Sequence, residues 1–284
     1  MDQHQARWPV SVMCEVLQVS RSGFYAYVQR QASAGVGAEE AALLARVKAI
    51  AAETHHSYGS RRMAKQLQDE GFAVGRCKAR RLMQQAGVAV RRARPRHPIT
   101  TNSHHGYGVA PNLLARQFDV ERPNQVWVGD ITYVWTAEGW LYVSVLLDLY
   151  SRKGVGWARS SRLDALMVQE ALHMALGRRK PSAGLMHHSD RGSQYACHAY
   201  QRLLGTHGIG CSMSRKGECL DNAVAERFFG SLKRERTAHR YYATRQDARD
   251  DVIDYIEMFY NSRRKHSYLG YVSPNDYEAF ALVG

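Results

Sequence analysis

Beyond residue 123 the chain carries a succession of segments that few folds can house. Residues 126–134 and 140–150 are strand-like runs rich in Val, Leu, Tyr and Trp, joined across a Glu138-Gly139 turn, and residues 154–158 supply a third. Helical and extended patterns then alternate. Residues 163–177 and 198–208 read as helices, 185–189 and 209–214 as strands, 221–235 as a long helix and 244–260 as a further amphipathic helix. Three consecutive strands followed by this alternation predict an α/β fold, a mixed sheet with helices on its faces.

The preceding residues have a different texture. Residues 1–36 read as a small helical unit, in which residues 19–25 supply a turn and a serine N-cap for a second helix running to about Arg30. Residues 38–88 form a second helical unit: Leu43, Leu44, Val47 and Ile50 recur at helical spacing, Ser60 caps a helix over 61–69, and a third helix spans 76–85. That third helix carries Arg76, Lys78, Arg80 and Arg81, and Arg61 and Arg62 open the one before it. Three short helices with a basic last one suit a helix-turn-helix module that sets this helix in a DNA major groove. Residues 89–122 read as a flexible basic linker: no acid occurs between Glu70 and Asp119, and Arg91, Arg92, Arg94 and Arg96 are interrupted by Pro95 and Pro98. The core is assigned to 123–240, and a C-terminal helix with a basic tail to 241–284.

The net charge of +13 points to a polyanionic partner, with nucleic acid ahead of a membrane surface because no segment has one wholly basic face. The five cysteines show no Cys-x-x-Cys spacing, which argues against structural zinc and fits a reducing cytosol. No signal peptide and no apolar run of about 20 residues is present, so a cytoplasmic protein is expected.

Three acids fall where a sheet and a helix can present them. Asp130 interrupts the first strand, Asp190 ends a short one, and Glu226 lies early in the 221–235 helix, for which Asp221 is the expected cap. Crowded carboxylates are unfavourable without a cation. Magnesium supplies one through oxygen ligands, and two ions about 4 Å apart can activate the attacking oxygen and stabilise the leaving one in phosphoryl displacement. Lys233 follows Glu226 by seven positions, nearly two turns at ~3.6 residues each, and Asn222 precedes Glu226 by four, about one turn, so all three share a face. Spacing alone does not separate Asp130 from Asp148, which also ends a strand.

Five ordered stretches carry a resemblance: WVGDITY (127–133), HSDRGSQY (188–195), SMSRKG (212–217), DNAVAERFFGSLKRE (221–235) and YNSRRKHSYLGYVSP (260–274). Together with the thirty-five residues between Asp190 and Glu226, they resemble the catalytic core of DDE transposases and retroviral integrases. More narrowly they resemble the second-frame protein of the bacterial insertion-sequence-three family. YGSRRM (58–63) and VSRSGFY (19–25) extend the resemblance over nearly the whole chain. It implies an RNase H-like core and Asp130, Asp190 and Glu226 as metal-binding catalytic triad. It implies two magnesium ions, replaceable by manganese, and 3′-end cleavage followed by strand transfer of insertion-sequence DNA. Asn222 and Lys233, on the face of Glu226, are expected to hold DNA beside the metal; the resemblance adds Asn261, Arg264 and His266, in a Tyr-Asn-x-x-Arg-x-His pattern that either grips DNA near the active site or caps and packs the last helix on the core. The implied partners are double-stranded element and target DNA, a first-frame helix-turn-helix/leucine-zipper segment and further copies of the chain in a synaptic complex; the implied location is the bacterial nucleoid. Gly129, Glu218 and Arg227 depart from the pattern without removing a catalytic group. A non-catalytic DNA-binding regulator and a ribonuclease of RNA–DNA hybrids are the competing readings.

Overall fold

The computed structural model describes residue 4 and residues 7–32, 38–91 and 105–281. The chain divides into two compact units, Met1–Glu53 with Gly59–Ala89, and Thr54–Tyr58 with Val90–Gly284.

Among the described residues, the regular elements of the first unit are helices: α1 (Val10–Val16), α2 (Arg21–Ala32), α3 (Ala38–Glu53), α4 (Ser60–Asp69) and α5 (Arg76–Gln85). Leu43, Val47 and Ile50 lie one or two turns apart on α3 and are buried, as are Met63 and Leu67 of α4 and Ala79, Leu82 and Met83 of α5. Each fully buried Leu, Ile or Met contributes about 1.5–3 kcal/mol, so this apolar set is the main force holding three short helices. Arg46 pins the bundle from outside, bonded to Glu53 at 2.7 Å and Glu70 at 2.6 Å. Ser20 is the serine that caps α2, its Oγ accepting from Gly23 N at 3.0 Å. Ser60 does not cap α4: the helix begins at Ser60 itself, and Gly59 holds the cap position with extended backbone and no side chain to offer.

The second unit is built on a five-stranded sheet of β1 (Val126–Thr136), β2 (Gly139–Asp148), β3 (Gly154–Ser160), β4 (Met186–Ser189) and β5 (Gly210–Met213) in the order β3-β2-β1-β4-β5. β1, β2 and β3 pair antiparallel, and β4 and β5 join parallel. The helices are α6 (Ala165–Arg179), α7 (Ser193–Ala196), α8 (His198–Thr206), α9 (Ala223–Glu235), α10 (Arg245–Asp254) and α11 (Pro274–Ala281). α10 runs into a π-helical turn, Tyr255–Tyr260. The mixed sheet and its flanking helices match the expected class; α7 and α11 were not foreseen.

One core cluster joins Trp127 and Leu146 of the sheet to Met167, Ala171, Leu172 and Ala175 of α6 and to Tyr195, Tyr200 and Leu204. α6 sits so close to β3 that a Cβ on Gly156 would meet Ala171 O at 2.2 Å, so only glycine fits there. Gly129 is constrained in the same way, since a Cβ would meet His187 Nε2 at 2.8 Å. A buried imidazole fills the space that a larger residue at 129 would need.

Part of the expected linker is not a loose tether. Residues 92–104, with three of its four clustered arginines, lie outside the described residues. Residues 111–116 are packed: Leu114 is buried, and Ser212 Oγ accepts from Leu113 N and Leu114 N. Among the described residues, no helix is long and apolar enough to cross a membrane.

Candidate active site

The parallel pairing of β1 with β4 sets two of the three acids side by side. Val128 is in register with His188, and Asp130 and Asp190 each follow two residues later. Neighbouring strands lie about 4.8 Å apart, so this register alone makes the two carboxylates neighbours. They line one cleft with Ile131, Tyr133, Tyr142, Leu163 and Gln194. Backbone amides fix both side chains: Ile131 N donates to Asp130 Oδ1 at 2.8 Å, and Gly192 N to Asp190 Oδ1 at 2.9 Å.

Electrostatics mark the pair as strained. Burial pushes the Asp130 carboxyl well above its ordinary range, and the charges of Asp190 and Glu226 push it further. The Ile131 amide and the Lys233 ammonium pull the other way. Glu226 is raised by desolvation. It stands in the first turn of α9 with its side chain exposed and is not among the residues lining the cleft. Among the described residues, no three carboxylate, imidazole or thiolate side chains converge closely enough to hold one ion as they stand. The structure therefore brings Asp130 and Asp190 together and leaves Glu226 within electrostatic reach of them. The donor set still fits a hard divalent cation, because it is all carboxylate oxygen and its repulsion is what a cation relieves.

Lys233 lies with its Nζ 4.5 Å from the centre of the Tyr133 ring. Burial lowers its pKa and Asp130 partly restores it. It thus meets, from α9, a ring that lines the cleft.

Three of the residues expected to meet DNA are committed inside the protein instead. Asn222 is buried, and its Nδ2 donates to Gly129 O at 3.1 Å, which fastens the start of α9 to β1. Arg264 is buried and forks onto Glu235, Nε to Oε2 and Nη2 to Oε1, both at 2.7 Å. His266 is buried against the Tyr260 ring, with centroids 4.7 Å apart. The Tyr-Asn-x-x-Arg-x-His pattern thus packs the tail on the core, the second of its two expected roles. Asn261 completes it, bonded through both amide atoms to the backbone of Gly154.

Asp221 does not cap α9; Asn222 takes the cap position and makes no side-chain cap bond. Asp221 is a buried hub that accepts from Asn112 Nδ2 at 2.8 Å, Arg116 Nε at 2.7 Å, and Arg215 N at 2.9 Å and Nε at 3.0 Å. The Arg215 hydrogen bonds above all hold its carboxyl below the usual carboxylate range. Glu218 faces Arg116 at 2.5 Å. Asn112, Arg116 and Arg215 are visible in the sequence, but nothing there says that they meet at Asp221. Asp148 is resolved as structural: it is buried at the far end of the sheet, opposite Trp127, and accepts from Asn124 N, Tyr150 N and Arg179 Nη2.

In the first unit, Arg61, Arg76, Lys78, Arg80 and Arg81 are exposed and Arg62 is half-buried. Of these, Arg81 lies 3.8 Å from Glu40. Ala79, Leu82 and Met83 face the bundle, so α5 turns its basic side outward.

Residues 120–219 and 207–274 match integrase core domain families, and residues 38–96 match an HTH-like domain family. An insertion element IS600 31 kDa protein of Shigella sonnei is 43% identical over 92% of this chain and 96% of its own length. The transposase InsF for insertion sequence IS3A of Escherichia coli K12 is 38% identical over 98% of this chain and 96% of its own. The catalytic core of BIV integrase aligns with 56% of this chain and 97% of its own at 19% identity, with a TM-score of 0.42.

Proposed function

The chain belongs to the IS3 family of DDE transposases, polynucleotidyl transferases of DNA transposition, and from that premise we propose that Asp130, Asp190 and Glu226 are its catalytic, metal-holding acids. The observation that carries the assignment is the parallel register of β1 and β4, which ends at Val128 opposite His188 and sets Asp130 beside Asp190 two residues further on, with the charge of Glu226 adding to the load on Asp130.

Family membership brings divalent-metal use and DNA binding. The expected complement is two magnesium ions, with manganese as a substitute. Bound there, they supply activation of the attacking oxygen and stabilisation of the leaving oxygen at a phosphodiester. The chain's own residues do the rest. The amides of Ile131 and Gly192 hold the two strand-borne carboxylates in fixed orientation. Asn222 sets the start of α9 against β1, one turn before Glu226, so closing the triad is a short-range movement of that turn and its side chain. Lys233 presents a cation to the DNA phosphate entering the cleft. The substrate is the element's terminal DNA, cut at its 3′ ends and joined to a target. A first-frame helix-turn-helix/leucine-zipper segment, a dimer or larger synaptic assembly, and action at the nucleoid belong to the same proposal.

Labelled DNA bearing the flanking element's ends, incubated with magnesium, tests the assignment. The wild type with the first-frame segment supplied should cleave and join, and the same reaction without it shows whether this chain suffices, while Glu226→Gln yields no product and keeps its DNA affinity. A Glu226→Gln protein that joins ends would sink the triad.

For the helical unit, the expected contact is the outward side of α5. If Arg76, Lys78 and Arg80 meet phosphates, replacing all three by Gln lowers the slope of log affinity against log salt by about 2.7, at ~0.9 per phosphate. Affinity measured across a potassium chloride series checks this. A loss confined to the element's own sequence, with the slope unchanged, would assign these side chains to base edges instead.

A further inference from the structure

The free end of the β1–β2 hairpin carries an aromatic surface that the catalytic assignment does not use. Trp135 and Trp140 are directly paired across the two strands and are 58% and 40% exposed. Their rings meet edge to face with centroids 4.7 Å apart, and Trp140 meets Tyr133 in the same way at 4.9 Å. Tyr133 and Tyr142, also paired across the strands, line the cleft that holds Asp130 and Asp190. The aromatic surface is therefore continuous with that cleft. Two indoles left in solvent at a hairpin tip contribute little to the core. Their edge-to-face contacts hold them in fixed relative orientation.

Charge at the margins selects the occupant. Lys233 lies over Tyr133 on one side. At the hairpin tip, Arg245 Nε donates to Trp140 O at 3.1 Å, and its Nη2 lies 3.0 Å from where a Cβ on Gly139 would stand. The tip's acid, Glu138, accepts from Arg245 N at 2.8 Å. A π-surface flanked by cations, in a chain of net charge +13, suits an unpaired nucleobase still attached to its phosphates. We propose that Trp135 and Trp140 form a stacking platform for unpaired bases of the DNA strand beside the bond cut at Asp130 and Asp190, an inference that rests on the catalytic reading above. Trp135 lies five residues beyond Asp130, about 17 Å along a strand at ~3.4 Å per residue. At ~3.4 Å per nucleotide of stacked strand, the platform meets bases up to about five nucleotides from the cut. Holding such bases out of the duplex keeps the reacting end open.

The test uses the full chain and two element-end duplexes, one fully paired and one with a mismatched stretch three to five nucleotides from the cut, each also made with 2-aminopurine there. The wild type should bind the mismatched end more tightly and change the 2-aminopurine emission. Trp135→Ala should lose that preference by roughly 5- to 150-fold, the equivalent of the ~1–3 kcal/mol measured per stacked base, while binding the paired duplex as before. Trp135→Phe should restore most of it. Equal loss on both duplexes, no preference in the wild type, or a change in self-association without a change in DNA binding would each overturn the platform. Because these are binding readouts, absence of joining by the wild type would count against the catalytic assignment and leave the platform to be judged by its own measurements.

Discussion

Asp130→Asn should abolish strand cleavage and joining and, in the absence of divalent metal, make the protein more stable. The activity loss should reach three orders of magnitude or more, since a bound metal stabilises developing transition-state charge by several kcal/mol and each ~1.4 kcal/mol is tenfold in rate. The stability gain follows from the same carboxylate. Its pKa is raised by burial, then by Asp190 and Glu226, so its ionised form destabilises the fold. Between its unfolded value and that raised value, the native state binds more protons than the unfolded chain, and stability falls as pH rises. The cost is fully present above the raised pKa and disappears as pH falls below the unfolded value. Asparagine removes the charge and the pH dependence together. Thermal melts in EDTA from pH 4 to 8 should show the variant ahead of the wild type at neutral pH, by about 2–4 °C for each ~1 kcal/mol relieved, with the gap closing in acid. Magnesium should raise the wild-type melting temperature and leave the variant's nearly unchanged. A variant less stable than wild type at neutral pH would contradict the account.

Arg264→Ala should cost about 3–5 kcal/mol of folding free energy, the price of stranding one member of a buried ion pair. Glu235 would keep Tyr255 OH, at 2.9 Å, and lose both guanidinium bonds, and Ser231 Oγ would lose its contact with Nη2 at 3.2 Å. Replacing Arg264 by Met and Glu235 by Leu together should recover most of the loss, because apolar groups of similar volume leave no buried charge behind. Urea denaturation of the two single variants and the double one measures this. A single variant with stability within ~1 kcal/mol of wild type but weakened DNA binding would return Arg264 to the DNA interface.

The alternation of strands and helices was legible because buried strands and amphipathic helices impose periods that survive in any sequence. The placing of Asp130 beside Asp190 was legible only through the resemblance. Their adjacency depends on a parallel register between segments sixty residues apart, and Asp148 has the same local signature at the wrong end of the sheet. Motif identity also concealed direction. Asn222, Arg264 and His266 belong to matched stretches, and helical spacing put Asn222 on the face of Glu226, yet the partners that turn them inward are Gly129 O, Glu235 and Tyr260. Residues 111–116 looked like linker because what anchors them, Ser212 and Asp221, lies about a hundred positions away. Local pattern carries no trace of such a bond.

The hub at Asp221 has a mechanical consequence. One carboxylate, held ionised, grips Asn112 and Arg116 upstream of the sheet and Arg215 in the loop after β5, and it lies five residues before Glu226. Residues 111–116, the 215–221 loop and the root of α9 are therefore tied together at one carboxylate. Displacing Arg116 or Arg215 breaks a multidentate arginine clamp, so the segment before the sheet is coupled to the helix root that carries Glu226 without passing through the sheet.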